Sequence, residues 1–455
     1  MQTFMPPLNP ADITSALNDF VQGRSGVGII AGVVDNGRVQ VYGAGNLGRN
    51  APKLDESTEF QIGSITKTFT ATLLAVMVRD GDVKLNDPIQ KYLPRDVRAP
   101  QFEDQSITLA NLAEQNSGLP RLPTNMAPRD PSDPYDDYTP AMLYDFLKGY
   151  TLPNAPGSQY DYSNLGVGLL GDLLARAAKT SYENVLQRRV LKPLGMYDTS
   201  TIPNAVMQMH LAPGHDASVR VAPPWHFGEL AAAGALYSNM HDMLRFLQAN
   251  LATSKGPLVR VMAFAQQPRA VGQFEKIARV GLVWEIDIPL GITWHNGETG
   301  GYHGFIGFNR EQHSGIVVLA NIADSNVDTV ALHILAPQSV AAPSNPSVTQ
   351  AIGSANEDPL ITARIKALYN SYVSGNVDTS SMTPEFAKLF TPSFIAQLQT
   401  STKELGPPRE WAFAAGTPEG NAVRYDYRVT FSDAVRTFSV WIGRDGKIAG
   451  SRLSQ

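Results

Sequence analysis

The chain has 455 residues, 43% of them hydrophobic and 17% charged, a globular composition long enough for two or three domains. A net charge of −5 with no long basic run argues against nucleic acid as a partner, and no apolar run reaches membrane-spanning length. With no cysteine, disulfides, thiol catalysis and cysteine-held metal are excluded.

The chain begins Met1-Gln-Thr-Phe-Met-Pro-Pro7, without a basic segment followed by an apolar one. It therefore reads either as cytoplasmic or as periplasmic or secreted with its leader already removed. Residues 11–22 read as an amphipathic helix. Gly28 to Val34 and Arg38 to Tyr42 read as strands joined by Asp35-Asn36-Gly37, a hairpin turn signal. Glu59 to Ile62 is a short extended segment. From Ile65 to Val78 apolar residues recur at helical spacing until Asp80-Gly81, where glycine suits a helix end. Thr108 to Gln115 reads as a helix, and residues 121–140 as a long Pro- and Asp-rich loop of the kind that borders sites. Helices are predicted at about 140–148, 164–178, 180–191 and 238–250. Strand patterns return at Gly281 to Ile286, Gly291 to Trp294, Gly304 to Asn309 and Gly315 to Asn321, before a closing helix near 325–335. This is an α+β chain: terminal strands share one antiparallel sheet flanked by helices, with a mainly helical subdomain inserted. Residues 337–358 have linker composition. Residues 359–455 then read as a small separate α+β domain behind the first domain, 1–336.

Three stretches carry chemistry. Ser64-Ile-Thr-Lys67 sits where the 65–78 helix begins, and residues three apart share a helix face. A lysine in a dry site has a lowered pKa and can activate a serine, while a helix N-terminus favours a developing oxyanion. The bland alternative is a surface N-cap serine beside a solvated lysine. Tyr162-Ser163-Asn164 enters a helix from a Pro/Gly-rich turn. A tyrosine phenolate held between cations can act as a base, and Asn164 can hydrogen-bond Lys67 or a substrate amide. The Tyr-x-Asn pattern also occurs at Tyr182 and Tyr237. Tyr182 reads as a packed helix residue, and Tyr237 as a helix start with Ser238 as N-cap. His295-Asn-Gly297-Glu298-Thr-Gly-Gly-Tyr lies between two strand patterns, and its glycines allow close approach of a ligand's backbone. His210, His215 and His226 lie in loops with no metal-ligand spacing, so no metal is expected.

Taken in order, these stretches resemble the serine β-lactamase and penicillin-binding-protein superfamily, closest to the class C β-lactamase branch with its D,D-peptidases and esterases. Leu85-Asn-Asp-Pro88, Asn116-Ser-Gly-Leu-Pro120, Pro193-Leu-Gly-Met196 and Gly234-Ala-Leu-Tyr-Ser238 are similar too, and the resemblance covers about residues 12–336. It implies that Ser64 is an acylated nucleophile and that Lys67 and Tyr162 share the acid–base work. Asn164 would orient Lys67 and the substrate amide, and the N–H groups of Ser64 and Glu298, the residue after Gly297, would form an oxyanion hole. His295 stands where the family usually has lysine, and Asn296 where it has threonine, which favours neutral esters and amides over penicillins. With the unperturbed histidine pKa of about 6.5, His295 would make recognition of anionic substrates fall between about pH 5.5 and 7.5. The implied activity is acyl transfer on D-residue peptides or small esters, with weak β-lactam hydrolysis, no cofactor and a small-molecule or peptide substrate. A homo-oligomer stays open. The rival reading is a catalytically idle peptidoglycan-sensing module. Residues 359–455 resemble NTF2-like or cystatin-like modules.

Overall fold

A computed structural model describes residues 9–49, 51–272, 278–337, 359–419, 422–432, 434–443 and 446–454. The chain divides into two compact units, Met1–Ser344 and Asn345–Gln455. The expected linker falls, from residue 338 to 358, outside the described residues.

In the first unit the described residues build an eight-stranded antiparallel sheet. Its strands are β1 (Gly28–Asp35), β2 (Arg38–Gly45), β3 (Ala270–Val271), β4 (Ala278–Val280), β5 (Glu285–Asp287), β6 (Ile292–Glu298), β7 (His303–Asn309) and β8 (Ser314–Ala320). Their spatial order is β2-β1-β8-β7-β6-β5-β4-β3, so the two ends of the unit meet at β1 and β8, with Ala31 opposite Val318. The β1–β2 hairpin turns at Asn36 (φ 49°) and Gly37 (φ 82°), the left-handed pair that a two-residue turn requires.

β1 is apolar from Gly28 to Val34 because both faces of the sheet are covered. Ile29, Ala31 and Val33 pack with Phe305 and Ile316 against helices α1 (Pro10–Val21) and α5 (Asn326–Leu335). Ile30 and Val34 point the other way, into a larger core shared with α2 (Thr66–Arg79), α3 (Asn164–Ala177) and α4 (Met240–Asn250). α2 is buried along almost its whole length, from Thr66 to Met77, and Phe69 stacks on Phe246 of α4 with centroids 3.9 Å apart. It ends at Asp80, with Gly81 left-handed at φ 81°. The inserted part between β2 and β3 is mainly helical, as the sequence predicts.

Four details differ from the sequence reading. Ser64 lies in a 3₁₀ turn, Gly63–Ile65, directly before α2 rather than inside it. Ser238 is not the N-cap of α4: Asn239 is, accepting from the Asp242 N–H, while Ser238 pairs with Phe60 in a two-residue strand and its hydroxyl meets Thr199. The segment expected as a strand from Gly281 enters the sheet only at Glu285, because Gly281 to Val283 fold back against Ala265 and Ala113. Ala205–His210 is a short helix in the region expected as loops around His210, and Val259–Ala265 is a helix in a stretch for which the sequence reading names no element.

In the second unit, helices α6 (Pro359–Ser374) and α7 (Pro392–Glu404) accompany a four-stranded antiparallel meander of β9 (Glu410–Glu419), β10 (Ala422–Thr430), β11 (Val435–Gly443) and β12 (Ile448–Ser454). Its own core includes Tyr369, Tyr372, Tyr427 and Phe438.

Candidate active site

Ser64 is positioned from both sides. Upstream, Phe60-Gln61 pairs with Tyr237-Ser238, and the Ile62 N–H donates to Leu236 O at 2.9 Å. Gly63 then turns at φ 50°, and β6 approaches so closely that a Cβ on Gly63 would lie 2.6 Å from the Glu298 nitrogen. A Cβ on Gly297 would lie 2.1 Å from Ile62 O and 2.7 Å from the Ser64 nitrogen. Both positions need glycine, and the contact brings the Ser64 and Glu298 main chains side by side.

Lys67 lies one turn on, fully buried in α2. Its Nζ is 2.7 Å from Ser64 Oγ and donates to Ala233 O at 2.7 Å. Burial, and then the positive charge of Arg121, hold its pKa well below that of an ordinary lysine. The neutral amine has a lone pair to take the serine proton.

Tyr162 reaches the site from the start of α3. Asp161 N–H donates to Gln115 O at 2.6 Å and Ser163 N–H to Gln115 Oε1 at 2.8 Å. Ser163 Oγ caps α3 by accepting from the Gly166 N–H at 2.8 Å. Arg121 O takes the Asn164 and Leu165 N–H groups at 3.0 and 3.2 Å, which ties the loop after Pro120 to the same helix end. Ser64 lies close enough to the Tyr162 hydroxyl to act on its pKa, lowering it. The Tyr162 ring faces Lys67 Nζ at 5.0 Å and the Arg121 guanidinium at 5.1 Å. Burial, helped by Glu285 and Tyr135, outweighs the influence of Ser64 and the Arg121 charge and pushes the phenol above its ordinary pKa. The expected phenolate is thereby corrected: Tyr162 keeps its proton and enters the site as an acid.

Asn164 does not hold Lys67. Its Nδ2 donates to the Tyr135 hydroxyl at 3.2 Å, and its Oδ1 is buried without a partner among the described residues. The Lys67 acceptor is the Ala233 carbonyl instead.

His295 lies on β6 with 1% exposure, its ring centroid 6.2 Å from that of Tyr162. Its Nδ1 is 2.6 Å from the Asn296 carbonyl, which can only accept, so Nδ1 carries the proton. Nε2 is then a bare lone pair, buried and unpartnered among the described residues. Burial, reinforced by Lys67, lowers the His295 pKa to about 3. The expected anion-binding slope between pH 5.5 and 7.5 is overturned: this imidazole is neutral throughout that range and offers an acceptor, not a donor.

A second histidine has the opposite state. His303 on β7 is buried, with Nδ1 2.9 Å from Glu298 Oε2 and Nε2 2.7 Å from Asp328 Oδ1. Carboxylates only accept, so both ring nitrogens carry protons. Burial opposes the charge, but Asp328 and Glu298 together raise the pKa to about 10. Asp328 also receives Asn296 Nδ2 at 2.6 Å. This network fastens residues 296–298 to α5.

Elsewhere, Asp133, Asp136 and His226 bring ligand-type atoms within 4.8 Å of one another, with His226 donating to Asp133 through both its ring and its main chain. His215 bonds to Asn321 O. A cavity of about 630 Å³ between α3 and residues 228–232, lined by Asp172, Arg176, Tyr182 and Glu229, does not include Ser64. Tyr182 is spent there on Thr70, at 2.7 Å. Sequence reasoning missed Arg121, Ala233 O and the His303 network. For Arg121 the signal lay one residue beyond Asn116-Ser-Gly-Leu-Pro120.

The β-lactamase family model matches residues 13–339, more than half of the chain and all of the elements around Ser64. The chain belongs to the β-lactamase family. Its family membership and the relatives below make it a serine hydrolase. The D-alanyl-D-alanine-carboxypeptidase/endopeptidase AmpH of Escherichia coli K12 is 33% identical over 303 residues, covering 64% of this chain and 75% of that protein. A β-lactamase of Pseudomonas fluorescens is 27% identical over 358 residues, covering 70% and 95%. Among solved structures, a β-lactamase/D-alanine carboxypeptidase from Yersinia pestis aligns with a TM-score of 0.63 at 26% identity over 72% of this chain and 99% of that one. A class C β-lactamase from Rhodobacter sphaeroides aligns at 0.60 and 25% identity, over 72% and 98%. Among the described residues no helix is long and apolar enough to cross a membrane.

Proposed function

We propose that this β-lactamase-family hydrolase works through a Ser64 acyl-enzyme on peptides ending in a D-residue or on small esters, with β-lactams as poor substrates. Ser64 Oγ forms a bond to the acyl carbon as its proton passes to neutral Lys67. The carbonyl π electrons move to oxygen, which is held by the Ser64 and Glu298 N–H groups. When the oxyanion collapses, the bond to the leaving group breaks and Tyr162 gives that group a proton, which the Lys67 ammonium restores. Water then repeats the sequence on the ester and releases the acid. Asn164 Oδ1 and His295 Nε2 are left as acceptors for donors on the substrate. The observation that carries the reading is the 2.7 Å contact between Ser64 Oγ and a lysine whose burial favours the neutral amine. The names of the relatives favour a D-alanyl peptide, and with it a periplasmic or extracellular setting.

The test is intact-protein mass spectrometry with product analysis, after incubation with p-nitrophenyl acetate, a D-Ala-D-Ala peptide and benzylpenicillin. A transient adduct with continuing product release is expected from the ester or the peptide. A permanent adduct from all three, without product, would identify an idle sensor, and no adduct at all would overturn the proposal.

A further inference from the structure

The charged groups around Ser64 differ in how far they are already paired. His295, where the family usually has a cation, presents a lone pair to the site. Lys67 is buried and engaged with Ser64 and Ala233. The Glu298 carboxylate is held by His303, and Glu285 receives the Tyr160 hydroxyl at 2.7 Å. That leaves Arg121. Its main-chain carbonyl is bonded to the first turn of α3, and its guanidinium lies over the Tyr162 ring, 5.1 Å from the centroid. The centroid of the same ring lies 5.0 Å from Lys67 Nζ, which contacts Ser64. Arg121 is exposed, and among the described residues its guanidinium has no hydrogen bond or ion pair within reach. Asp161 feels its field without forming a pair with it. An arginine stays charged at any pH an enzyme meets, and its planar fork matches a carboxylate with two parallel hydrogen bonds.

We propose that Arg121 receives an anionic group of the acyl donor, a carboxylate, and so gives this site its preference for anionic over neutral substrates. The inference rests on the serine-hydrolase reading and deepens it. Two contacts make Arg121 suitable: the backbone anchor at α3 fixes where the side chain starts, and the Tyr162 ring lies under its guanidinium, 5.1 Å from Cζ to centroid. The guanidinium is thus held against the Tyr162 ring before substrate arrives. A neutral His295 acceptor would repel the same carboxylate, so the anion belongs on the Arg121 side of Tyr162 and not on β6.

The experiment compares two aryl esters with one acyl group, one of 3-hydroxybenzoate and one of 3-hydroxybenzamide. They share the scissile bond and shape and differ in charge. The wild type should favour the acid in kcat/KM. The acid-to-amide ratio should fall about 10- to 100-fold in Arg121→Gln, the range for losing a charge-assisted hydrogen bond. Arg121→Lys should recover part of it, as a point charge without the fork. Added salt should lower the wild-type ratio, because Arg121 is exposed. A wild-type ratio below one, or a ratio unchanged in Arg121→Gln, would overturn the inference. In a Ser64→Ala background, calorimetric binding of the two esters gives the same comparison without turnover. If the wild type hydrolyses neither ester while binding still discriminates through Arg121, the hydrolase reading fails and the anion site stands. If both esters turn over with no Arg121 effect, the reverse holds.

Discussion

Replacing His303 by glutamine removes a buried positive charge while keeping a side chain that can hydrogen-bond. The imidazolium is clamped by Glu298 at 2.9 Å and Asp328 at 2.7 Å, and its pKa is raised to about 10. The unfolded value is about 6.5. A group raised in this way stabilises the fold fully below pH 6.5, and that contribution is lost as pH rises through about 10. At about 1.4 kcal/mol per pH unit, the shift is worth at most about 4 kcal/mol at pH 7. Two features reduce it. The Glu298 side chain is 40% exposed, so solvent screens that partner, and Asp328 keeps its bond from Asn296. About 2–3 kcal/mol is therefore expected at pH 6–7, shrinking below about 1 kcal/mol by pH 9.5. The assay is urea unfolding of wild type and His303→Gln across that range, following the first unit through Trp225, Trp284 and Trp294. Titrations common to both proteins cancel in the difference. A gap that is constant with pH, or one that widens towards pH 9.5, would refute the doubly bonded imidazolium.

Three further outcomes follow from the site. Tyr162→Phe should lower kcat by roughly 10²-fold or more, as expected for a lost acid, while Tyr237→Phe should change kcat little; the reverse order, read by steady-state kinetics, would mean that another copy of Tyr-x-Asn acts. His295→Asn should leave the pH–rate profile without a lost limb between pH 5 and 8, because His295 is already neutral there. Burial raises Glu285 to about 7, so an inflection near neutrality should move with Glu285→Gln, and its disappearance in His295→Asn would show that the imidazole titrates. Gly297→Ala should reduce acylation by roughly 10²-fold or more by pushing β6 away from Ser64, and near-normal acylation kinetics would show that the close approach is not needed.

Much of this site could be read from local spacing. Ser64 and Lys67 are three residues apart at a helix entrance, and Tyr162 enters a helix from a turn. Gly297 was singled out for the close approach of a ligand's backbone, and the backbone it meets is the chain's own, at Ile62 and Ser64. What local spacing does not carry is burial and partners from distant segments. His295 and His303 are eight residues apart in one glycine-rich stretch and look alike there. One meets a carbonyl and a buried lysine, with its pKa near 3, and the other meets two carboxylates, with its pKa near 10. Asp328, 25 residues beyond His303, makes that difference. Asn164 fails for the same reason: its partner Tyr135 comes from the long loop, 29 residues upstream. Ser238 gave way to Asn239 as N-cap because pairing with Phe60 holds it extended.

The central claim is that Ser64 is the nucleophile and that Lys67 activates it. The most direct measurement is labelling by a fluorescent fluorophosphonate, with the modified peptide mapped by mass spectrometry, in wild type, Lys67→Ala and Ser64→Ala. The account predicts one label on Ser64 in the wild type, much slower labelling in Lys67→Ala and none in Ser64→Ala. Labelling that persists in Ser64→Ala, or that is as fast without Lys67, would contradict it.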